Sequence, residues 1–153
     1  MFHLNHEDEK MKPNEDEFVI NLKDKLKNHL LRSFIQRKHR VFIEVEEGNH
    51  KHAAELLREN FNAHLTTITA RDAHSEFEVI YHFDIGGILI SVKTLIPKTN
   101  PELDTISDII PSGDWYEREI MDLFGIKFRG HPNPKRIILP DDWPRDNYPL
   151  RAI

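Results

Sequence analysis

The chain predicts an α+β domain: an antiparallel sheet with helices packed on one face, followed by a short capped helix and an extended Pro-rich C-terminal arm. Three observations carry this. Phe77, Val79, Tyr81 and Phe83 alternate with Glu78, His82 and Asp84, the period of two expected of a strand buried on one side only. Gly86-Gly87 separates this run from a second apolar run, the signal of a tight hairpin. Toward the end, five of the nine prolines fall between Pro132 and Pro149, denying that stretch any long regular element.

At 153 residues the chain suits one domain with a substantial core. No apolar run approaches the ~18 residues a membrane helix needs, and the acidic, polar first residues do not read as a signal peptide. The absence of cysteine excludes disulfides, thiolate-held iron–sulfur clusters and Cys-based zinc sites from this chain. Residues 1–17 hold six acidic and two basic side chains, most of the net charge of −5. They read as a mobile acidic lead-in. The nearly neutral remainder offers no basic face for nucleic acid.

In order, Phe18, Leu22, Leu26, Leu30 and Phe34 recur at every fourth position, which predicts an amphipathic helix over 18–36 whose stripe joins the core. Val41–Val45 reads as a strand, then a Gly48-Asn49 turn, with Asn49 as cap of a second helix over 50–62 facing Ala53, Ala54, Leu57 and Phe61 inward. Strands follow over 65–70, 77–84 and 88–95. Asn100-Pro101 is expected to start a helical turn through Leu103 and Ile106, which Pro111 breaks. Residues 18–113 thus form the domain, and 114–153 a protruding helix and docking arm.

The helix is read from its ends. Asp114 suits the N-cap, Glu117 three residues on completes a capping box, and Gly125 suits the left-handed stop, so it spans 115–124. Tyr116, Ile120, Leu123 and Phe124 make its apolar face, while Arg118, Glu119 and Asp122 surround Trp115 on the other. An aromatic among ionic groups is what one side of a protein interface looks like. Glu117, at the edge of the apolar face, fits either the capping role or a buried pair with an arginine. Beyond a short Ile126-Lys127-Phe128 strand, the arm carries Ile137, Ile138, Leu139, Trp143, Tyr148 and Leu150. That is too apolar for a free tail, so it must lie along its own domain or a neighbour.

The run WYEREIMDLFGIKFRGHPNPKRIILPDDW, with Asp108-Ile109-Ile110-Pro111 ahead of it, closely resembles the signature of the 30-kilodalton-subunit family of proton-pumping NADH:quinone oxidoreductase (respiratory complex I). Counterparts occur in energy-converting membrane-bound NiFe hydrogenases. The T-I-S-D-I-I-P approach and the short ending after Trp143 look more like the hydrogenase branch. The resemblance implies an accessory subunit without a redox centre, peripheral on the cytoplasmic side and touching the membrane only through its complex. Iron–sulfur clusters and the quinone or NiFe site would belong to partners: a large catalytic subunit, sometimes fused to this one, and an iron–sulfur small subunit. The residues expected at the partner contact are Trp115, Glu117, Arg118, Glu119, Asp122, Arg129, His131, Arg136, Ile138, Leu139, Asp141, Asp142, Trp143 and Tyr148.

The competing reading is a self-contained metal-dependent hydrolase built on His131, Asp141 and Asp142 near Arg136. Against it, the ten histidines are scattered, and no HExxH, GxSxG, phosphate-binding glycine loop or dinucleotide fingerprint occurs.

Overall fold

The computed structural model describes residues 14–152. The expected lead-in falls outside these residues as far as position 13. Asn14 already caps a helix, α1 (Glu15–Leu26), by accepting from the Asp16 amide at 3.2 Å, and three carboxylates in the first turn favour that helix end. Phe18, Leu22 and Leu26 are buried along α1, as their spacing requires. The expected continuation to residue 36 is wrong. After a single 3-10 turn the chain becomes a strand, β1 (Leu30–Arg37), paired antiparallel with β2 (Arg40–Val45). A four-residue spacing is even, so it fits one face of a strand as well as one face of a helix. Here the long-range partner decides.

From β2 the chain enters α2 (His50–Phe61), which buries Ala53, Ala54 and Leu57. Asn49 makes no side-chain cap. Three strands follow, β3 (His64–Ala73), β4 (Glu76–Ile85) and β5 (Ile88–Pro97), the last two joined at Gly86-Gly87, both with positive φ. The sheet order is β1-β2-β5-β4-β3. It is mixed rather than antiparallel, because β2 and β5 pair in parallel. The cause is topological. The α2 crossover carries the chain past two strand positions to the far edge, and two antiparallel reversals bring β5 back beside β2 in the same direction.

Phe77, Val79, Tyr81 and Phe83 of β4 and Ile88, Ile90, Val92 and Ile96 of β5 are buried. The helices gather on the β4 face: Phe18 of α1 packs edge-on against Phe61 of α2, His50 of α2 stacks on Tyr81, and Phe124 meets Phe77 edge-on.

The expected helical turn after Asn100 is instead a strand, β6 (Glu102–Asp104), paired in parallel with β7 (Lys127–Arg129). A turn at Ile106–Ile110 leads into α3 (Gly113–Phe124). This helix does not protrude. It packs on β3, buries Ile120 and Phe124, and sends the Tyr116 hydroxyl to the Thr66 carbonyl at 2.9 Å. Asp114 is not its N-cap. It lies inside the first turn, where its carboxylate is 3.3 Å from Arg118.

Candidate docking face

Between β7 and residue 152 the chain forms a strap without regular structure that follows α3 from its start to its end. His131 meets the Asp114 turn, the carbonyls of Lys135 and Arg136 meet Arg118 (2.8 and 3.3 Å), and the amides of Ile137, Ile138 and Leu139 converge on the Asp122 carboxylate at 2.9, 2.8 and 3.1 Å. Asp122, expected on the exposed charged side, is therefore buried. Three amides aimed at one oxygen make a local anion site for it.

The strap then turns. Arg136 holds the turn by donating to the carbonyls of Pro140 and Trp143, and the Trp143 indole donates to the Asn147 carbonyl. Tyr148 lies over Gly125, whose φ is +67° and whose missing Cβ leaves room for the ring. Arg151 stacks on Tyr148 and donates to the Phe124 carbonyl at 2.6 Å, the Leu150 amide reaches the Leu123 carbonyl, and the Ala152 amide reaches Asp72 on β3. The arm thus lies along its own domain, and its inward polar groups are already paired.

Glu117 is neither a capping-box partner nor paired with an arginine. It is fully buried and accepts from the Thr105 hydroxyl, the Ile106 amide (2.7 Å) and the Ser107 hydroxyl (2.7 Å). Burial raises its carboxyl above the ordinary range, opposed by these three donors and by His131. The His131 side chain, itself buried, places Nε2 3.6 Å from Glu117 and 3.4 Å from the Asp114 carboxylate, while Nδ1 accepts from the Asn133 amide. That assigns the proton to Nε2. Thr105 and Ser107 carry no signal in the sequence beyond their two-residue spacing, so the partners of Glu117 are not legible there. Neither is the fastening role of Arg151.

Other expected site residues divide by position. Arg129 is exposed at β7 and pairs with Asp104 at 2.9 Å, which raises its guanidinium further. Glu119 and Leu139 are half-buried, and Asp141 and Asp142 are exposed. The hydrolytic grouping is not assembled: the carboxylates beside His131 are Asp114 and Glu117, and among the described residues no set of three metal-ligating side chains converges. Facing outward are Trp115 (66% exposed), with Arg118 over its ring, Ile138 (53%) and Leu150 (51%). Among the described residues no helix is long and apolar enough to cross a membrane.

Residues 43–152 match the family described as the 30 Kd subunit of the respiratory-chain NADH dehydrogenase. The C-type subunit of the NADH-quinone oxidoreductase of Citrifermentans bemidjiense is 33% identical over 144 residues, covering 88% of this chain and 89% of that protein. The beta subunit of the membrane-bound hydrogenase of Pyrococcus furiosus is 32% identical over 119 residues, 74% of this chain and 69% of that one. Among solved structures, a chain of the membrane-bound sulfane sulfur reductase, an archaeal respiratory membrane complex, superposes with a TM-score of 0.79 at 27% identity, covering 89% of this chain and 82% of that one. Several other curated relatives are longer. The chain spans 40% or less of their length, and only 14% where the relative's name joins the C and D subunits in one protein.

Proposed function

The chain belongs to the family of the 30 kDa subunit of the respiratory-chain NADH dehydrogenase, and from that premise we propose that it is a non-catalytic accessory subunit in the peripheral part of a membrane-bound, ion-translocating oxidoreductase. It docks on the large catalytic subunit and stabilises it. Relatives in which the C and D names share one protein support the large subunit as partner. The iron–sulfur small subunit sits nearby, and this chain lies on the cytoplasmic side as a peripheral part of the complex, meeting the membrane only through it. Redox groups and the quinone or NiFe site belong to the partners.

One observation carries the docking role: the outer surface of α3 and the strap presents Trp115 and Ile138 to solvent while the groups beneath them are paired internally. A surface so prepared loses little further conformational entropy on binding. Trp115, Glu119, Ile138, Asp141, Asp142 and Trp143 supply the contact. Glu117, Arg118, Asp122, Arg136 and Tyr148 hold its shape from within.

The test is co-purification of the tagged chain from native membranes in mild detergent. Trp115→Ala combined with Ile138→Asp should reduce recovery of the large subunit by roughly 10- to 100-fold, the range of a lost interface anchor. Thermal unfolding of the isolated chain should not change. Full recovery with the double variant would sink the docking role.

A further inference from the structure

The two edges of the five-stranded sheet are treated differently. β3 is closed by α3, through Tyr116 on the Thr66 carbonyl, and by the end of the strap at Asp72. β1 pairs with β2 alone, and among the described residues no strand meets its other side. All eight of its residues are exposed or half-buried.

The charged side chains of β1 and its hairpin turn are all basic, and Glu44 of β2, which stands opposite Arg32, is taken up by Lys93. No acidic residue occurs between Asp24 and Glu44, while Arg32, Arg37, Lys38 and Arg40 lie on β1 and its hairpin. Arg37 and Arg40 stand directly opposite each other in the β1–β2 register, a like-charge pairing that costs stability unless an anion joins it. None of the four has a carboxylate within ion-pair distance among the described residues, whereas Lys51, Arg71, Lys93 and Lys98 do. Glu15, the carboxylate bonded at the hairpin, is taken up by the amide and ring of His39.

Cations alone would read as protection of a free edge against aggregation. A purely protective edge has no use for apolar anchors, yet Leu31 and Ile35 are exposed on β1 and Ile20 on the neighbouring α1, three of the six exposed large hydrophobics among the described residues.

We propose that the β1 edge binds an extended acidic segment of a partner polypeptide, which adds to the sheet as a sixth strand. Backbone bonds along β1 supply the affinity, Leu31 and Ile35 anchor alternate side chains, and carboxylates neutralise the Arg37–Arg40 pair. The site is separate from α3 and the strap and does not depend on what docks there.

The test places the photo-crosslinking residue p-benzoylphenylalanine at Gln36 in the full chain, irradiates cells, purifies under denaturing conditions and maps the adduct by mass spectrometry. The expected adduct lies on another polypeptide, in a stretch with more Asp and Glu than Lys and Arg. Arg37→Glu with Lys38→Glu should lower its yield about tenfold, and added salt should lower the wild-type yield in native membranes. If the double variant does not fold, the salt series on the wild type decides. An adduct on lipid, on a second copy or on residues 1–13 of the same chain overturns the proposal, as does no adduct or a yield indifferent to charge.

Discussion

Replacing Glu117 by alanine should be the most damaging single truncation in α3. Its carboxylate is the acceptor for the Ile106 amide at 2.7 Å and for the hydroxyls of Ser107 and Thr105. The orphaned buried amide costs about 2 kcal/mol. The hydroxyls cost less because their O–H bonds rotate, and Thr105 Oγ1 keeps the bond it accepts from the Ser107 amide at 3.0 Å, so together they add about 1 kcal/mol. The vacated space adds about 1 kcal/mol, so the loss is about 4 kcal/mol, a large share of a typical domain's stability. Urea titration at neutral pH measures it as a lower midpoint at unchanged slope. Glu117→Gln keeps the volume and an acceptor for Ile106 and should cost about 1 kcal/mol.

The pH dependence separates the causes. Because burial raises the folded carboxyl above its ordinary 4.5, the folded state holds the proton more tightly than the unfolded state does. Its contribution is fully present below pH 4.5 and is lost as pH rises through the folded value. The wild-type advantage over Glu117→Gln should therefore shrink with rising pH across that window. An advantage that grows with pH would mean the donors and His131 outweigh burial. An alanine loss under about 1 kcal/mol would refute the anchoring of residues 105–107 by Glu117 altogether.

Gly125→Ala must both strain a positive φ and displace the Tyr148 ring, so it should lower stability by about 2 kcal/mol and make the strap sensitive to limited proteolysis. Asp122→Ala frees three amides, and hydrogen exchange at residues 137–139 should accelerate while the sheet stays protected. Trp115→Ala, at an exposed position, should change stability by less than about 0.5 kcal/mol. Burial lowers the His50 imidazole below its ordinary 6.5, so its contribution is present above pH 6.5 and is lost as pH falls through the folded value; pH-dependent melting of His50→Gln should be flatter across that window.

Much of the sheet is legible in the sequence because its signals are local. The alternation in β4 and the Gly86-Gly87 hairpin name their own conformations, and the buried face of β4 is the one its pattern assigns. At Leu30 and Phe34 the pattern is ambiguous: an even spacing satisfies two periods, and only pairing with β2 separates them. The roles of Glu117 and Asp122 are illegible for a different reason. Each looks like a helix-surface or capping carboxylate, and each is instead saturated by a segment ten or more positions away.

By itself the sequence determined the class of the domain, the position of α3 and its stop at Gly125, and, through the signature around it, the family. These depend on side-chain period, backbone permissiveness at one glycine and a long specific string, all of which are written within short windows. Only the tertiary structure decided that the sheet is mixed, that residues 30–37 are a strand, and that the arm is fastened along its own helix. Those outcomes rest on which distant backbone groups find partners once the chain is compact. A buried amide or carboxylate must be satisfied somewhere, but its residue type does not say by whom.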